Sequence, residues 1–165
     1  MLAAADRPDA VADLVLIGPF VRDHGPAVVR PLMRVLLAKP WGPLVWRSYH
    51  RSLFGEPKPS DHQQQVSAAL ALLRRPGRWR AFRATANTSH AAAQAALPRV
   101  SAPTLVLMGD RDPDFPDPEA EAAWVAGRLN GAHRMIPGAG HYPMAEQPGA
   151  VLDAMLPFLA EVGHG

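Results

Sequence analysis

Two short apolar runs, a weaker third and a long helical stretch organise the chain. Val11 to Ile17 (Val-Ala-Asp-Leu-Val-Leu-Ile) is nearly continuous in apolar residues, rich in β-branched side chains, and ends at Gly18-Pro19. That pattern predicts a buried strand. Thr104 to Met108, entered by Pro103 and left by Gly109, predicts a second, and His133 to Ile136, closed by Pro137-Gly138, a third. Between the last two, Asp117 is placed to cap a helix that has Pro118 at its first position and Glu119 in its first turn. Trp124, Val125 and Leu129 form its expected inward face. A final helix is expected from Pro148 through Val151, Leu152, Met155 and Leu159, with Pro157 kinking it. Strand, helix, strand, helix is the pattern of a parallel α/β sheet.

Residues 24 to 98 carry no comparable strand signal. Val29, Leu32, Met33 and Leu36 make one apolar stripe, and Trp41, Val45, Tyr49 and Leu53 another at intervals of four. A capping box, Ser60-x-x-Gln63, predicts the start of a helix carrying Val66, Leu70 and Leu73 up to Pro76-Gly77. A fourth helix is expected over 78–88, with Trp79, Phe82 and Ala86 turned inward. A helical insertion of this size between two parallel strands predicts a cap over their C-terminal ends, where ligands bind in such sheets. The domain organisation read from the chain is therefore a core of residues 1–23 and 99–165 and a helical cap of 24–98.

Composition narrows the classes. With 48% hydrophobic and 19% charged residues the chain reads as globular, not disordered. The longest apolar stretch, Val11 to Val21, holds Asp13 and is too short to cross a bilayer. The opening Met1-Leu2-Ala3-Ala4-Ala5-Asp6-Arg7 places charges where a secretory leader needs apolar residues, so a cytoplasmic location is expected. Arginine, alanine and proline in preference to lysine suggest a GC-rich bacterial genome. There is no cysteine, which excludes disulfides, thiolate nucleophiles and cysteine-based zinc sites. The net charge is only +2, and the one basic concentration is Arg74-Arg75-Pro76-Gly77-Arg78-Trp79-Arg80-Ala81-Phe82-Arg83. Arginines interleaved with aromatics can stack on bases or lie at a membrane surface. The simpler reading is a solvated helix face with its rings turned inward, so neither a nucleic acid nor a membrane is expected as partner.

Two loops can carry chemistry, both just past the C-terminal ends of predicted strands. Gly109-Asp110-Arg111-Asp112-Pro113-Asp114-Phe115-Pro116 follows the second strand and Pro137-Gly138-Ala139-Gly140-His141-Tyr142-Pro143 the third. Such loops face a common crevice. A carboxylate on one can fix the tautomer of an imidazole on the other and stabilise its protonated form, leaving the second ring nitrogen to take a proton. Glycines 138 and 140 allow a tight turn before the histidine.

Leu14-Val15-Leu16-Ile17-Gly18-Pro19, the run Ala102 to Pro113 and Ile136-Pro137-Gly138-Ala139-Gly140-His141 resemble the α/β-hydrolase superfamily. They are similar to its sixth strand, its seventh strand with the acid loop, and its eighth strand with the histidine loop. Ala3 to Val11 looks like the end of the helix following the family's nucleophile elbow, so the resemblance is to the C-terminal half of such a protein. It implies a partial parallel α/β-hydrolase sheet of three strands with a helical cap insertion, Asp112 as triad acid and His141 as general base. Asp110 is the nearest competitor for the acid, and Asp23, after the first strand, is another position the family permits. The implied parent activity is serine-type hydrolysis of an ester, amide or similar acyl bond without a cofactor. The same scaffold also hosts epoxide, carbon–carbon and carbon–halogen hydrolysis. Trp41, Trp46, Tyr49, Phe54 and Trp79 in the cap point to a small apolar ester-like substrate.

One departure outweighs these matches. The family nucleophile sits in Gly-x-Ser-x-Gly, and none of Ser48, Ser52, Ser60, Ser67, Ser89 or Ser101 has glycine at both second flanking positions. The expectation is a truncated hydrolase lacking its elbow and oxyanion loop. The other reading is a non-catalytic remnant, or a subdomain that pairs with a separate N-terminal half. Without a preceding strand, the edge of Val11 to Ile17 is expected to promote self-association, with Asp13 its only gatekeeper. No metal is expected. Asp110, Asp112, Asp114 and Glu121 fall at EF-hand ligand spacing, but Phe115 replaces the glycine of the sharp turn, and Pro113, Pro116 and Pro118 stiffen the loop.

Overall fold

The computed structural model describes residues 1–23 and 29–163, the side chains of Val29 and Arg30 excepted. The start of the expected insertion at 24–28 and the Val29 side chain of its first stripe lie outside the described residues. Helix α1 (Leu2–Asp6) and a 3-10 turn (Pro8–Ala10) lead into strand β1 (Leu14–Ile17). Helices α2 (Val29–Leu36), α3 (Gly42–Ser52), α4 (His62–Arg74), α5 (Arg78–Thr85) and α6 (Ala91–Ala96) follow. After a 3-10 turn (Leu97–Arg99) come β2 (Thr104–Gly109), α7 (Pro118–Arg128), β3 (Ala132–Ile136), α8 (Pro143–Glu146) and α9 (Pro148–Val162).

The three strands form one parallel sheet in the order β1-β2-β3. Leu14 lies opposite Thr104 and Ile17 opposite Leu107, while Leu105 faces Ala132 and Gly109 faces Ile136. Strand β2 is central and buried at every position. Its period of two divides the core into layers. Val106 and Met108 pack with Phe115, Val125, Ala126 and Leu129 on the α7 side, and Leu105 and Leu107 with Ile136 and Val151 on the α9 side. Each such aliphatic side chain stabilises by about 1.5–3 kcal/mol relative to its exposed state.

The three parallel strands and the α7 start match the sequence pattern. The Asp117 carboxylate accepts the Ala120 N–H at 2.9 Å. Other local details differ. Strand β1 begins at Leu14 rather than Val11, because the Pro8–Ala10 turn occupies the approach, and it is half-buried throughout rather than buried. Among the described residues only β2 pairs with it, so its second edge is open. The Ser60–Gln63 capping box does not form. His62 N–H bonds the Pro59 carbonyl at 3.0 Å, which delays α4 to His62, and the Asp61 carboxylate accepts from the Gln65 amide at 2.7 Å. Helix α5 stops at Thr85, leaving Ala86 exposed, as the Asn87 amide and Thr88 hydroxyl bond the Arg83 and Ala84 carbonyls. Helix α9 starts at Pro148 as expected and continues through Pro157; Val151 faces the sheet and Leu152 is 45% exposed. In the insertion, Leu32 (53%), Trp41 (48%) and Tyr49 (37%) of the expected stripes stand exposed.

Candidate active site

The acid and histidine loops leave neighbouring strands, and backbone bonds stitch them together. Asp110 N–H donates to the Ile136 carbonyl at 3.3 Å and Arg111 N–H to the Ala139 carbonyl at 3.0 Å. The Asp110 carboxylate accepts the Gly138 N–H at 2.7 Å, so this residue joins the two loops rather than facing the imidazole. Gly138 has φ +75°, a left-handed conformation that glycine adopts without strain. Gly140 meets a different demand: a Cβ there would lie 2.2 Å from the Leu53 carbonyl oxygen of the insertion.

That close approach seats the histidine. His141 N–H donates to the Leu53 carbonyl at 2.7 Å, and its Nδ1 lies 2.8 Å from Asp112 Oδ2. Asp112 is buried, and its other oxygen accepts the Asp114 N–H at 2.9 Å. A carboxylate so placed holds the proton on Nδ1 and leaves Nε2 as the basic nitrogen. The imidazole is 15% exposed, flanked by Phe20 at 5.3 Å and Tyr142 at 5.2 Å between ring centroids. Of the two alternative acids, Asp110 is engaged as described. Asp23 binds elsewhere: it accepts from Ser89 Oγ at 3.1 Å and His90 N–H at 3.0 Å, and pairs with His90 Nδ1 at 2.9 Å.

Residues that sequence reasoning missed complete the site. The Glu146 carboxylate accepts the N–H groups of Gly55 (2.6 Å), Gly140 (2.9 Å) and Tyr142 (3.1 Å), tying the histidine loop to the insertion. Nothing in its spacing marked it. Asp114 has Oδ2 3.4 Å from His141 Nδ1, and its Oδ1 accepts the Tyr49 hydroxyl. Phe20 lies just past the end of β1, and the rule that singled out the other two loops, applied to β1, would have found it.

Burial pushes the pKa of His141 down. The hydrogen bond to Asp112 and the charges of Asp112, Asp114 and Glu146 outweigh it, and the imidazole is held above its usual 6.5. Burial raises the Asp114 carboxyl despite the opposing His141 charge. Tyr142 is raised by burial, then by the charges of Asp114 and Asp112. His50 is lowered by burial and by His62.

Asp112, Asp114 and His141 offer ligand atoms within 4.8 Å of one another, the one possible metal cluster among the described residues. It is not the EF-hand set, because Asp110 serves Gly138 and the Glu121 carboxylate takes the Arg22 guanidinium at 2.9 Å. A cation here would compete with the Nδ1 proton that Asp112 holds.

Aromatic side chains radiate from the histidine. Tyr142 packs on Phe54 at 5.0 Å and His50 at 6.0 Å, and His50 on Trp46 at 5.6 Å. A groove of about 280 Å³ beside Tyr142 is lined by His50, Phe54, Gln65, Ala69 and Ala145. Trp79 is buried against Phe82, turned inward as its helix spacing predicts, so of the five aromatics read as substrate-facing it serves packing. Ser52 and Ser67 donate to the Tyr49 and Gln63 carbonyls, and Ser89 to Asp23.

A parallel sheet with a buried acid and a shielded imidazole beyond adjacent strand ends defines an α/β protein whose polar site sits at the C-terminal edge of its sheet. The chain belongs to the alpha/beta hydrolase family, whose model matches residues 1–154. It is similar to a thermophilic esterase from Thermogutta terrifontis, at 25% identity and TM-score 0.59, over 96% of this chain and 59% of that one. The 2-hydroxy-6-oxo-6-phenylhexa-2,4-dienoate hydrolase from Rhodococcus sp. strain RHA1 aligns at 16% identity and TM-score 0.71, over 99% and 59%. An N-acyl homoserine lactone degrading enzyme aligns at 18% identity and TM-score 0.69, over 94% and 61%. The two lower identities speak for the fold alone. The chain thus spans about three-fifths of the solved chains it resembles. No curated protein matches it. Among the described residues no helix is long and apolar enough to cross a membrane.

Proposed function

We propose that this chain is the acid- and histidine-bearing part of a serine-type hydrolase acting on small apolar esters or related acyl bonds. Its nucleophile and oxyanion donors would lie in a segment outside this sequence. The observation that carries the reading is the 2.8 Å contact between Asp112 Oδ2 and His141 Nδ1 in a shielded setting at the ends of adjacent strands. In the reaction, His141 Nε2 takes the proton of the serine hydroxyl as it attacks the acyl carbon, and Asp112 stabilises the imidazolium. The proton passes to the leaving alkoxide, and a water then repeats the sequence to release the acid. Residues 24–98 act as the cap: Tyr49, Leu53 and Gly55 touch the acid and histidine loops, and the groove between His50, Phe54 and Tyr142 receives the apolar part of the substrate. The likeness to an esterase supports the substrate class.

The open edge of β1 belongs to the same proposal. It would accept the strand preceding the nucleophile or, failing that, the edge of a second copy. Sedimentation of the purified chain at micromolar concentration is expected to show self-association; a cooperatively melting monomer would mean that the edge is covered by the chain itself.

The functional test uses activated short-chain esters and a fluorophosphonate label. The chain alone should neither turn over ester nor label. A chain extended upstream through an in-frame Gly-x-Ser-x-Gly should do both, and lose turnover by several orders of magnitude in His141→Ala. Turnover by the chain alone that vanishes in His141→Ala would overturn the assignment of the nucleophile to another segment.

A further inference from the structure

Away from the acid and histidine loops, three guanidinium groups converge on one groove. It measures about 450 Å³ and is lined by Arg34 of α2 and by Arg80, Arg83, Ala84 and Asn87. The last four share one face at intervals of three and four, as a helix turn and its extension require. Arg80 and Arg83 belong to the basic run of 74–83. The aromatics of that run turn inward, with Trp79 buried and Phe82 packed on Trp46 at 4.4 Å, so the arginines are left facing the groove.

The arrangement is half-built in its hydrogen bonds. Arg83 Nη2 donates to the Arg34 carbonyl at 3.3 Å, which fixes the guanidinium, yet its Nε is buried without a partner. The Asn87 amide nitrogen donates to the Arg83 carbonyl at 2.7 Å, while its Oδ1 is buried and unpartnered. Among the described residues none of the three arginines has an acidic partner. Arg80 and Arg83, three positions apart on one helix face, repel, and a buried N–H without an acceptor is costly. With a net charge of only +2, the concentration does not simply follow from a basic chain.

We propose that this groove is a binding site for a small organic phosphate monoester. A phosphate supplies several oxygens to guanidinium forks, including one for the orphan Arg83 Nε–H. A hydroxyl on a protonated phosphate, or one further along the ester's carbon chain, satisfies Asn87 Oδ1, which can only accept. Ala84 leaves room, and the groove is larger than phosphate alone needs, so the organic part of an ester can lie in it.

The test is calorimetric titration of the full chain with glycerol 3-phosphate, inorganic phosphate and acetate. Saturable one-to-one binding of glycerol 3-phosphate is expected, tighter than that of phosphate or acetate. Arg80→Gln and Arg83→Gln should each weaken it about tenfold or more, the worth of a charge-assisted hydrogen bond. Arg74→Gln with Arg75→Gln, exposed and outside the lining, should leave it unchanged. Asn87→Asp should abolish binding while the fold persists, since its carboxylate would stand in for the anion. If Arg83→Gln fails to fold, Arg80→Gln, whose side chain is exposed, decides the matter. No saturable binding, equal binding of acetate, or equal loss in the Arg74/Arg75 double variant would overturn the proposal.

Discussion

The sheet core and the helical insertion obey different rules of burial. In β2, Val106, Leu107 and Met108 are fully out of solvent, as are Ala122 and Val125 of α7. In the insertion, Leu32 and Trp41, both on regularly spaced apolar stripes, stand 53% and 48% exposed, and Val35 and Leu44, which lie off those stripes, 59% and 69%. The central strand has neighbours on both edges and a helix layer on both faces, so every side chain finds a partner. The insertion helices have each other and, among the described residues, a few local contacts with the core: Leu53 and Gly55 beside the histidine loop, Tyr49 on Asp114, and Ser89 and His90 on Asp23. Periodicity tells which side chains share a face; only the surrounding elements decide whether that face is covered.

Four substitutions break or sharpen this contrast. Leu107→Ala leaves a cavity between β2, β3 and α9 and should lower stability by about 2–5 kcal/mol in urea titration. A loss near zero would mean that the α9 layer is not packed as described. Glu146→Ala removes one acceptor from three backbone N–H groups at the seam between the insertion and the histidine loop and should cost about 2–3 kcal/mol. Amide exchange should accelerate at Gly55, Gly140 and Tyr142 and stay slow in β2; uniform acceleration would deny a distinct seam.

The third contrast is with pH. Because the folded His141 pKa lies above the unfolded value of 6.5, the protonated imidazole contributes stability that is full below about pH 6.5. That contribution is lost as pH rises through the folded pKa. His50 and His62 are held low, so theirs is present above pH 6.5 and lost as pH falls through their folded values. The difference between the stability–pH curves of the native chain and His141→Gln isolates the first effect and should decline across that window. A flat difference would remove the electrostatic basis of the pair. Smallest of all, Leu44→Ala, at a position 69% exposed, should change stability by no more than about 0.5 kcal/mol. A core-sized loss would mean that an unseen surface covers this face.

Where the sequence was legible, a local rule and its tertiary setting agreed. The β-branched run before Gly109, the Asp117-Pro118 helix start and the two loops beyond strand ends all follow from short-range chemistry. That chemistry placed Asp112 and His141 together across 29 positions. Where it was not, a competing local bond or a distant neighbour intervened. The Pro59–His62 turn overrode the capping box, and the Pro8–Ala10 turn shortened β1. Glu146 could not be found because its value lies in three N–H groups that converge only once Gly140 has docked on Leu53. Asp110 looked like a rival acid until the register of β2 and β3 put Gly138 N–H beside it.

The proposed hydrolase rests on the pairing of Asp112 with His141, and nitrogen-detected NMR of the His141 ring across pH tests that pairing most directly. We expect a neutral tautomer with its proton on Nδ1 and a pKa above 6.5. In Asp112→Asn that pKa should fall, because burial would then act with only Asp114 and Glu146 to oppose it. A pKa at or below 6.5 that Asp112→Asn leaves unmoved, or a neutral ring protonated on Nε2, would contradict it.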